Sequence, residues 1–177
     1  MTVHQFDASS AECLVFTYKE GLLSPLAHDL KIRVTRFTLD VDEERRAIKA
    51  RFDASSLRVV CAMRTGVEAP GTLSAAQRRE IESSIAHDVL NAPVFPEIRF
   101  SSTSVQGKDD HYLVKGTLVL HGRTRSVPVH ARRPGDLYVA EARVHQPDFG
   151  IQPYRAFFGT LKVKADVTVQ VRLPAPR

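Results

Sequence analysis

Near its end the chain carries an alternation that few folds can use. Leu161, Val163, Ala165, Val167, Val169, Val171 and Leu173 alternate with Lys162, Lys164, Asp166, Thr168, Gln170 and Arg172. Successive side chains of a strand point to opposite faces, so this reads as one long strand with an apolar side and a wet side. Half-buried strands of this kind suit an antiparallel sheet. Related patterns recur from the first quarter of the chain onward and give about eight strands. With almost no helix to cover a sheet, the apolar faces must meet one another. A closed barrel or a sandwich does that, and a barrel also removes the edges.

The exception to the strand pattern lies between Leu73 and Leu90. Ser74 is a candidate N-cap, with Gln77 three residues on as in a capping box. Ile81, Ile85, Val89 and Leu90 recur at helical spacing and make one apolar face. Asn91, Pro93 and Pro96 follow, so the helix should end near Leu90. After Glu97 the period returns to two, with Ile98, Phe100 and Ser102 on one side. The expected fold is therefore mainly β, an antiparallel β-barrel with one α-helix packed against it.

In the N-terminal part, Leu14 to Tyr18 is a short strand and Asp29 to Asp42 a long one. The second slips parity between Val34 and Phe37. A β-bulge near Thr35 or Arg36 would return Leu30, Ile32, Val34, Phe37, Leu39 and Val41 to one face. Glu43–Arg46 is a charged turn, Ile48, Ala50 and Phe52 form the returning strand, and Leu57, Val59 and Cys61 another. Met63 to Gly71 is read as a loop.

In the C-terminal part, turns at 107–110, 121–124 and 134–136 separate strands at Tyr112–Leu120, around Val127 and Val129, and at Leu137–His145. Gly116 marks a bulge or bend, and Pro128 an edge or locally unpaired position. Gln146 to Gly159 is an irregular loop rich in aromatics. No internal repeat, low-complexity segment or linker stands out.

At 177 residues and 19.7 kDa the chain is expected to be a single domain over residues 1–177, large enough to bury a core. No apolar run approaches the length of a membrane helix, and the longest near the N-terminus is Leu14-Val15-Phe16. The expected compartment is the cytoplasm, with Cys13 and Cys61 as reduced thiols. Charge is uneven: residues 1–110 hold 14 basic and 16 acidic side chains, residues 111–177 hold 11 and 4. The basic residues of the second half are scattered along strands rather than clustered with aromatics, which argues against nucleic acid.

Two His-Asp pairs, His28-Asp29 and His87-Asp88, could each offer metal ligands. A metal-dependent hydrolase using them is one alternative, although hydrolases built on paired His-Asp units are helical. The plainer reading puts His87 in the last helical turn, where a cation suits the dipole, and His28 in a loop. No nucleophile elbow, phosphate loop, HExxH or CxxC is present, and Asp148 in DFG lacks the other kinase signatures. Arg123, Arg125 and Arg155 could meet a lipid phosphate.

Three stretches together resemble the YceI-like family of lipocalin-like, lipid-binding proteins. They are HDVLNAPVFPEIRFSSTS, VKGTLVLHGRTRSVPV, and the pair QPDFGIQPY and FFGTLKVKADVTVQV. The resemblance implies an extended, lipocalin-like antiparallel barrel with the helix against it. It also implies an elongated apolar cavity that holds a polyisoprenoid or another long-chain amphiphile.

On that reading the chain binds, carries or stores a hydrophobic ligand (isoprenoid, quinone or long-chain lipid) without catalysis, metal or cofactor. Phe100, Leu118, Leu120, Val163 and Val167 are the expected lining on the strands. Phe149, Tyr154, Phe157 and Phe158 are expected either at the pocket mouth or as a plug of one barrel end. A homodimer is left open. The other alternative is a solid barrel acting as an interaction protein.

Overall fold

The computed structural model describes residues 2–21, 27–156 and 161–176. Its strands are β1 (Val3–Asp7), β2 (Glu12–Thr17), β3 (Asp29–Val34), β4 (Phe37–Asp42), β5 (Ala47–Asp53), β6 (Leu57–Arg64) and β7 (Val67–Ala69). They continue with β8 (Glu97–Lys108), β9 (His111–Leu120), β10 (Arg123–Arg132), β11 (Leu137–His145), β12 (Arg155–Ala156), β13 (Leu161–Lys162) and β14 (Asp166–Pro174). One helix, α1 (Ala75–Ser84), runs into a π-helical turn at Ile85–Val89.

Twelve strands form one antiparallel sheet in the order β1-β4-β5-β8-β9-β10-β11-β14-β2-β3-β6-β7. The sheet curls into a half-barrel of the lipocalin-like class. Its two ends are halves of the same three ribbons. β1 and β2, β3 and β4, and β5 and β6 are each consecutive in sequence, yet one half pairs at one end of the order and the other half at the other. This is why there are twelve strands where the sequence gives about eight: a long ribbon bent at a corner counts twice.

The corner has its own chemistry. The pentapeptide Phe-Asp-Ala-Ser-Ser occurs at 6–10 and again at 52–56, a short repeat that ends β1 and β5 in the same way. In each copy the aspartate oxygen accepts from the serine two residues on: Ser9 N–H to Asp7 at 2.8 Å, and Ser55 N–H to Asp53 at 2.8 Å. These are Asx turns, which stop a strand by offering its backbone a local partner. Between them, Arg36 donates from Nε to Asp53 and from Nη2 to Ser55. Ser56, fully buried, donates to the Asp53 carbonyl at 2.8 Å and accepts the Arg36 amide at 3.1 Å.

The parity slip between Val34 and Phe37 is thus a corner rather than a bulge. Ile32, Val34, Phe37 and Leu39 are all buried across it. The irregularity within the β3–β6 ladder lies instead between Lys31 and Ile32. At Gly116 the expected bulge is present, on the neighbouring strand, where Ser102 pairs Gly116 and Ser104 pairs Lys115. Pro128 pairs Lys115 on β9, and the β10–β11 ladder of the described residues starts at His130, so the other side of Pro128 lies outside that ladder. The stretch 63–71, read as loop, contains the end of β6 and all of β7. The long closing strand is interrupted at Val163–Ala165, because Gln146 takes the carbonyls of Ala165 and Lys164.

α1 starts as its sequence dictates, with Ser74 and Gln77 completing a reciprocal capping box. It ends through Leu90, whose N–H reaches Ile85 O at 2.9 Å, before Asn91 turns left-handed. Ile81, Ile85 and Leu90 pack on a cluster of Cys13, Ile32, Val34, Phe37, Leu57 and Val59. The helix therefore covers an end of the sheet that would otherwise expose apolar surface and unpaired amides. Among the described residues no helix is long and apolar enough to cross a membrane.

Candidate functional site

The curled sheet encloses a cavity of about 670 Å³. That is within the ~300–1,000 Å³ of ordinary small-molecule sites. Its walls come from the inward positions of nearly every strand: Leu39, Ile48 and Phe52 on one side, Val129, Ala142, Val167 and Val171 on the other. The hollow has a simple cause. Ala50, Ala131, Ala140 and Ala142 take inward positions where longer side chains would meet across the barrel. Val167, Val169 and Val171 stay only half-buried although they point inward, because they face empty space. A barrel packed solid is not what this sequence builds.

At one end the cavity lining is apolar among the described residues. Leu90, Ile98, Leu120 and Val144 form its floor. Beneath them Phe149 and Ile151 pack against Leu118, Leu120, Val127 and Val144 at 2% and 3% exposure. Phe95 packs against His121 with ring centroids 4.6 Å apart and planes tilted by 51°, and its ring lies against Gly122, where a Cβ would fall 2.7 Å away. Gly122 also has φ +72, so two constraints meet at this turn.

The other end is polar. It is built by the β4–β5 turn, the two-residue β8–β9 turn at Asp109 and Asp110, and the start of β1. Asp109 and Asp110 both have positive φ, as a primed hairpin turn needs. Tyr112 and Tyr138 stand at this end with ring centroids 5.8 Å apart, edge to face, and Arg133 lies over the Tyr138 ring at 5.5 Å. Partial burial and a hydrogen bond to Tyr138 raise the Tyr112 hydroxyl above its ordinary value, so it stays protonated. Tyr112 needs Gly107 opposite it, since a Cβ there would sit 2.6 Å from the ring.

Cys13 also lines the cavity. Burial, helped by the charge of Glu12, pushes its thiol up to about 12. It is a neutral apolar wall, and so are its prospects as a nucleophile limited. Both cysteines are buried and free.

The residues singled out from sequence fall into three places. Phe100, Leu118, Leu120 and Val167 line the cavity. Phe149 lies under the floor, away from the mouth. Tyr154 and Val163 are half-buried and joined by a backbone hydrogen bond of 3.0 Å, outside the lining. Phe157 and Phe158 lie outside the described residues. Arg123 packs on Gly150 at the apolar end, Arg125 bonds the Thr124 carbonyl, and Arg155 is exposed on β12.

The His-Asp pairs are engaged locally. Asp29 accepts the Lys19 amide at 2.7 Å, and His87 Nδ1 is 3.0 Å from the Ser83 carbonyl. Among the described residues no three of His, Cys, Asp and Glu gather where they could hold a metal ion.

Missed in the sequence were His4, Tyr112 and Tyr138 at the mouth. The two tyrosines share parity with inward neighbours Val114 and Ala140, which was the available signal. A more open hollow outside the corner, lined by Asp7, Arg36, Arg51 and Asp53, has polar groups already paired with one another, as in Arg36–Asp53.

The chain belongs to the YceI-like domain family, whose model matches residues 6–175. Among solved structures it is similar to Burkholderia cenocepacia BcnA, with a TM-score of 0.62 at 15% identity over 96% of this chain and 99% of that one. It is also similar to a polyisoprenoid binding domain from Saccharophagus degradans implicated in plant cell wall breakdown, TM-score 0.59 at 10% identity, covering 98% of each chain. The Campylobacter jejuni YCEI protein gives 0.57 at 11% identity over 90% of this chain and 91% of that one. At these identities the likeness is one of fold. No curated protein sequence matches the chain.

Proposed function

We propose that this protein binds a long-chain hydrophobic or amphipathic molecule inside the barrel and carries or stores it without chemical change. An isoprenoid chain, free or attached to a quinone, is the first choice, and another long-chain lipid the second. The observation that carries the reading is the cavity itself: apolar along its walls and polar at one end. Each buried CH₂ contributes about 0.8 kcal/mol, so a long chain needs few polar contacts to be held. The polyisoprenoid binding domain of the same fold supports the choice of ligand. We place the protein in the cytoplasm, a reading supported by its two free thiols.

The test is extraction of protein purified from its native host with organic solvent, followed by mass spectrometry, with titration of the emptied protein by a prenol and a prenylquinone. A long-chain lipid recovered in near-stoichiometric amount, and rebinding at micromolar concentration, is the expected result. No lipid and no rebinding would overturn the reading.

A further inference from the structure

The cavity has a length as well as a volume. On β9 an inward row runs from Tyr112 at the polar end through Val114 and Leu118 to Leu120, and each of these residues lines the cavity. At ~3.3 Å per residue that row spans about 26 Å. On β11 a shorter row runs from Tyr138 through Ala140 and Ala142 to Val144. Both rows end on packed side chains. Leu120 and Val144 are 7% and 5% exposed, and they pack in one cluster with Phe149 and Ile151. The polar side chains of the lining, Cys13 aside, stand at the other end, among them Asp42, Glu43, Arg46 and Lys108.

These dimensions count carbons in two ways. A zigzag carbon chain, with bonds of about 1.5 Å and angles of about 111°, advances about 1.25 Å per bond. A row of about 26 Å therefore takes roughly 21 carbons. A methylene fills about the space of one water in the liquid, ~30 Å³, so the cavity volume of about 670 Å³ takes roughly 22. The two counts agree only for one chain lying in single file. A hollow wide enough for a hairpin would hold twice as many carbons by volume as by length. An isoprene unit adds five carbons and advances four bonds, about 5 Å. Length thus admits about five units and volume about four. Carbons beyond that leave the apolar wall for charged side chains and water, where burial contributes nothing more.

We propose that the cavity takes one hydrocarbon chain of about 20 carbons, the length of four isoprene units, and that Leu120 and Val144 set where the chain stops. The proposal rests on the ligand-binding reading above and narrows it to a length class. Two substitutions act on the stop in opposite senses. Ala142 is one inward position short of Val144, so a large side chain there takes the last ~7 Å of the row, a little more than one isoprene unit. Truncating Leu120 opens space toward Phe149 instead.

The experiment uses the full chain, stripped of lipid, and a ladder of prenols from two to eight isoprene units. Prenols are competed in pairs, with cyclodextrin keeping the long ones monomeric and their partition into it measured separately. Mass spectrometry reads the bound fraction. Wild type should gain at least about tenfold in affinity with each unit up to four, and less than about twofold per unit beyond five. Ala142→Phe should move the break to three units and leave shorter prenols bound as in wild type. Leu120→Ala should favour the five-unit prenol over the four-unit one about 3–10-fold more than wild type does. Thermal melts of the empty proteins show which variants are folded, and Ala142→Phe decides alone if Leu120→Ala is not. Affinity that keeps rising about tenfold per unit through eight units, or a break that either folded variant leaves in place, would overturn the proposal while leaving the ligand-binding reading intact. Failure of every prenol to bind would overturn both.

Discussion

Glu82 of α1 accepts the backbone N–H of Val59 on β6 at 2.9 Å. β7 covers β6 only from Ala62 to Arg64, so the earlier part of that strand presents amides with no strand beside them. A carboxylate next to Ile81 and about one turn before Ile85 does what a neighbouring strand would do. The helix is thus joined to the sheet by burial and by one charge-assisted hydrogen bond.

Replacing Glu82 by Leu should leave the Val59 amide without a partner under a packed helix, at a cost of about 1–3 kcal/mol. Glu82→Gln keeps a carbonyl oxygen in place and should lose less than half as much. Urea unfolding of the three proteins gives the comparison. Equal midpoints for wild type and Glu82→Leu would show that water satisfies the amide and that the helix is held by its apolar face alone.

The ring of Phe100, which lines the cavity, lies directly over Gly116. A Cβ at Gly116 would fall 2.4 Å from Phe100 Cζ and 2.7 Å from the Ser101 carbonyl oxygen. The ring can swing into the hollow, but the carbonyl belongs to the ladder and cannot. Gly116→Ala should therefore destabilise by about 1–3 kcal/mol despite its better strand propensity. It should also weaken ligand binding, because the displaced ring takes up cavity. Thermal melts and a lipid titration on the same sample check both; a stabilised variant would mean the ladder yields at this point.

The corner is sensitive to acid. Asp53 is held below the ordinary carboxylate range, first by the Ser55 hydroxyl and then, against a smaller opposing effect of burial, by the Ser55 amide and Arg36. A carboxyl whose folded value is depressed contributes stability that is fully present above its unfolded value, about 3.9, and is lost as pH falls through the folded value. Asp53→Asn should be less stable than wild type at pH 7. The gap should narrow below about pH 4 and close at lower pH as wild type loses the same interaction. Denaturant midpoints from pH 7 down to pH 2 test this; a gap that stays constant would mean the carboxylate charge has no part in the corner.

What could be read from the sequence was whatever depends on local period. Val167 to Leu173 declared a strand, and Ser74 with Gln77 declared the helix start, because alternation and capping act within a few residues. β1 gave no such signal: in Val3-His4-Gln5-Phe6-Asp7 the inward side is His4 and Phe6, only one of them apolar. The paired Phe-Asp-Ala-Ser-Ser segments did not stand out as a repeat, because their meaning as two matching corners needs the knowledge that β1 and β5 flank β4. The hollow interior was implied by the family resemblance alone and not by any local pattern. Whether Ala140 and Ala142 leave a gap depends on what stands across from them, and that is set by the closure of the whole sheet. The mouth is similar, since His4 and Tyr138 come from strands far apart in the chain.

Val167 offers a direct test of the hollow. It points into the cavity from β14, beside Val144 on β11, and stays half-buried because nothing fills the space before it. In a packed core, Val→Phe at such a site costs about 1–3 kcal/mol through overpacking. Here the ring can extend into empty volume and cover apolar wall that is otherwise bare. Val167→Phe should keep the ligand-free melting temperature of wild type or raise it slightly. The same ring shortens the space left for a chain, so the rise in melting temperature on adding lipid should shrink, since ligand stabilisation follows the ratio of free ligand to Kd. The measurement is a pair of melts for each protein, with the lipid removed and with it restored. A large loss in the ligand-free pair would place Val167 in a solid part of the core. An unchanged melt together with undiminished lipid binding would place the ligand elsewhere than against β14.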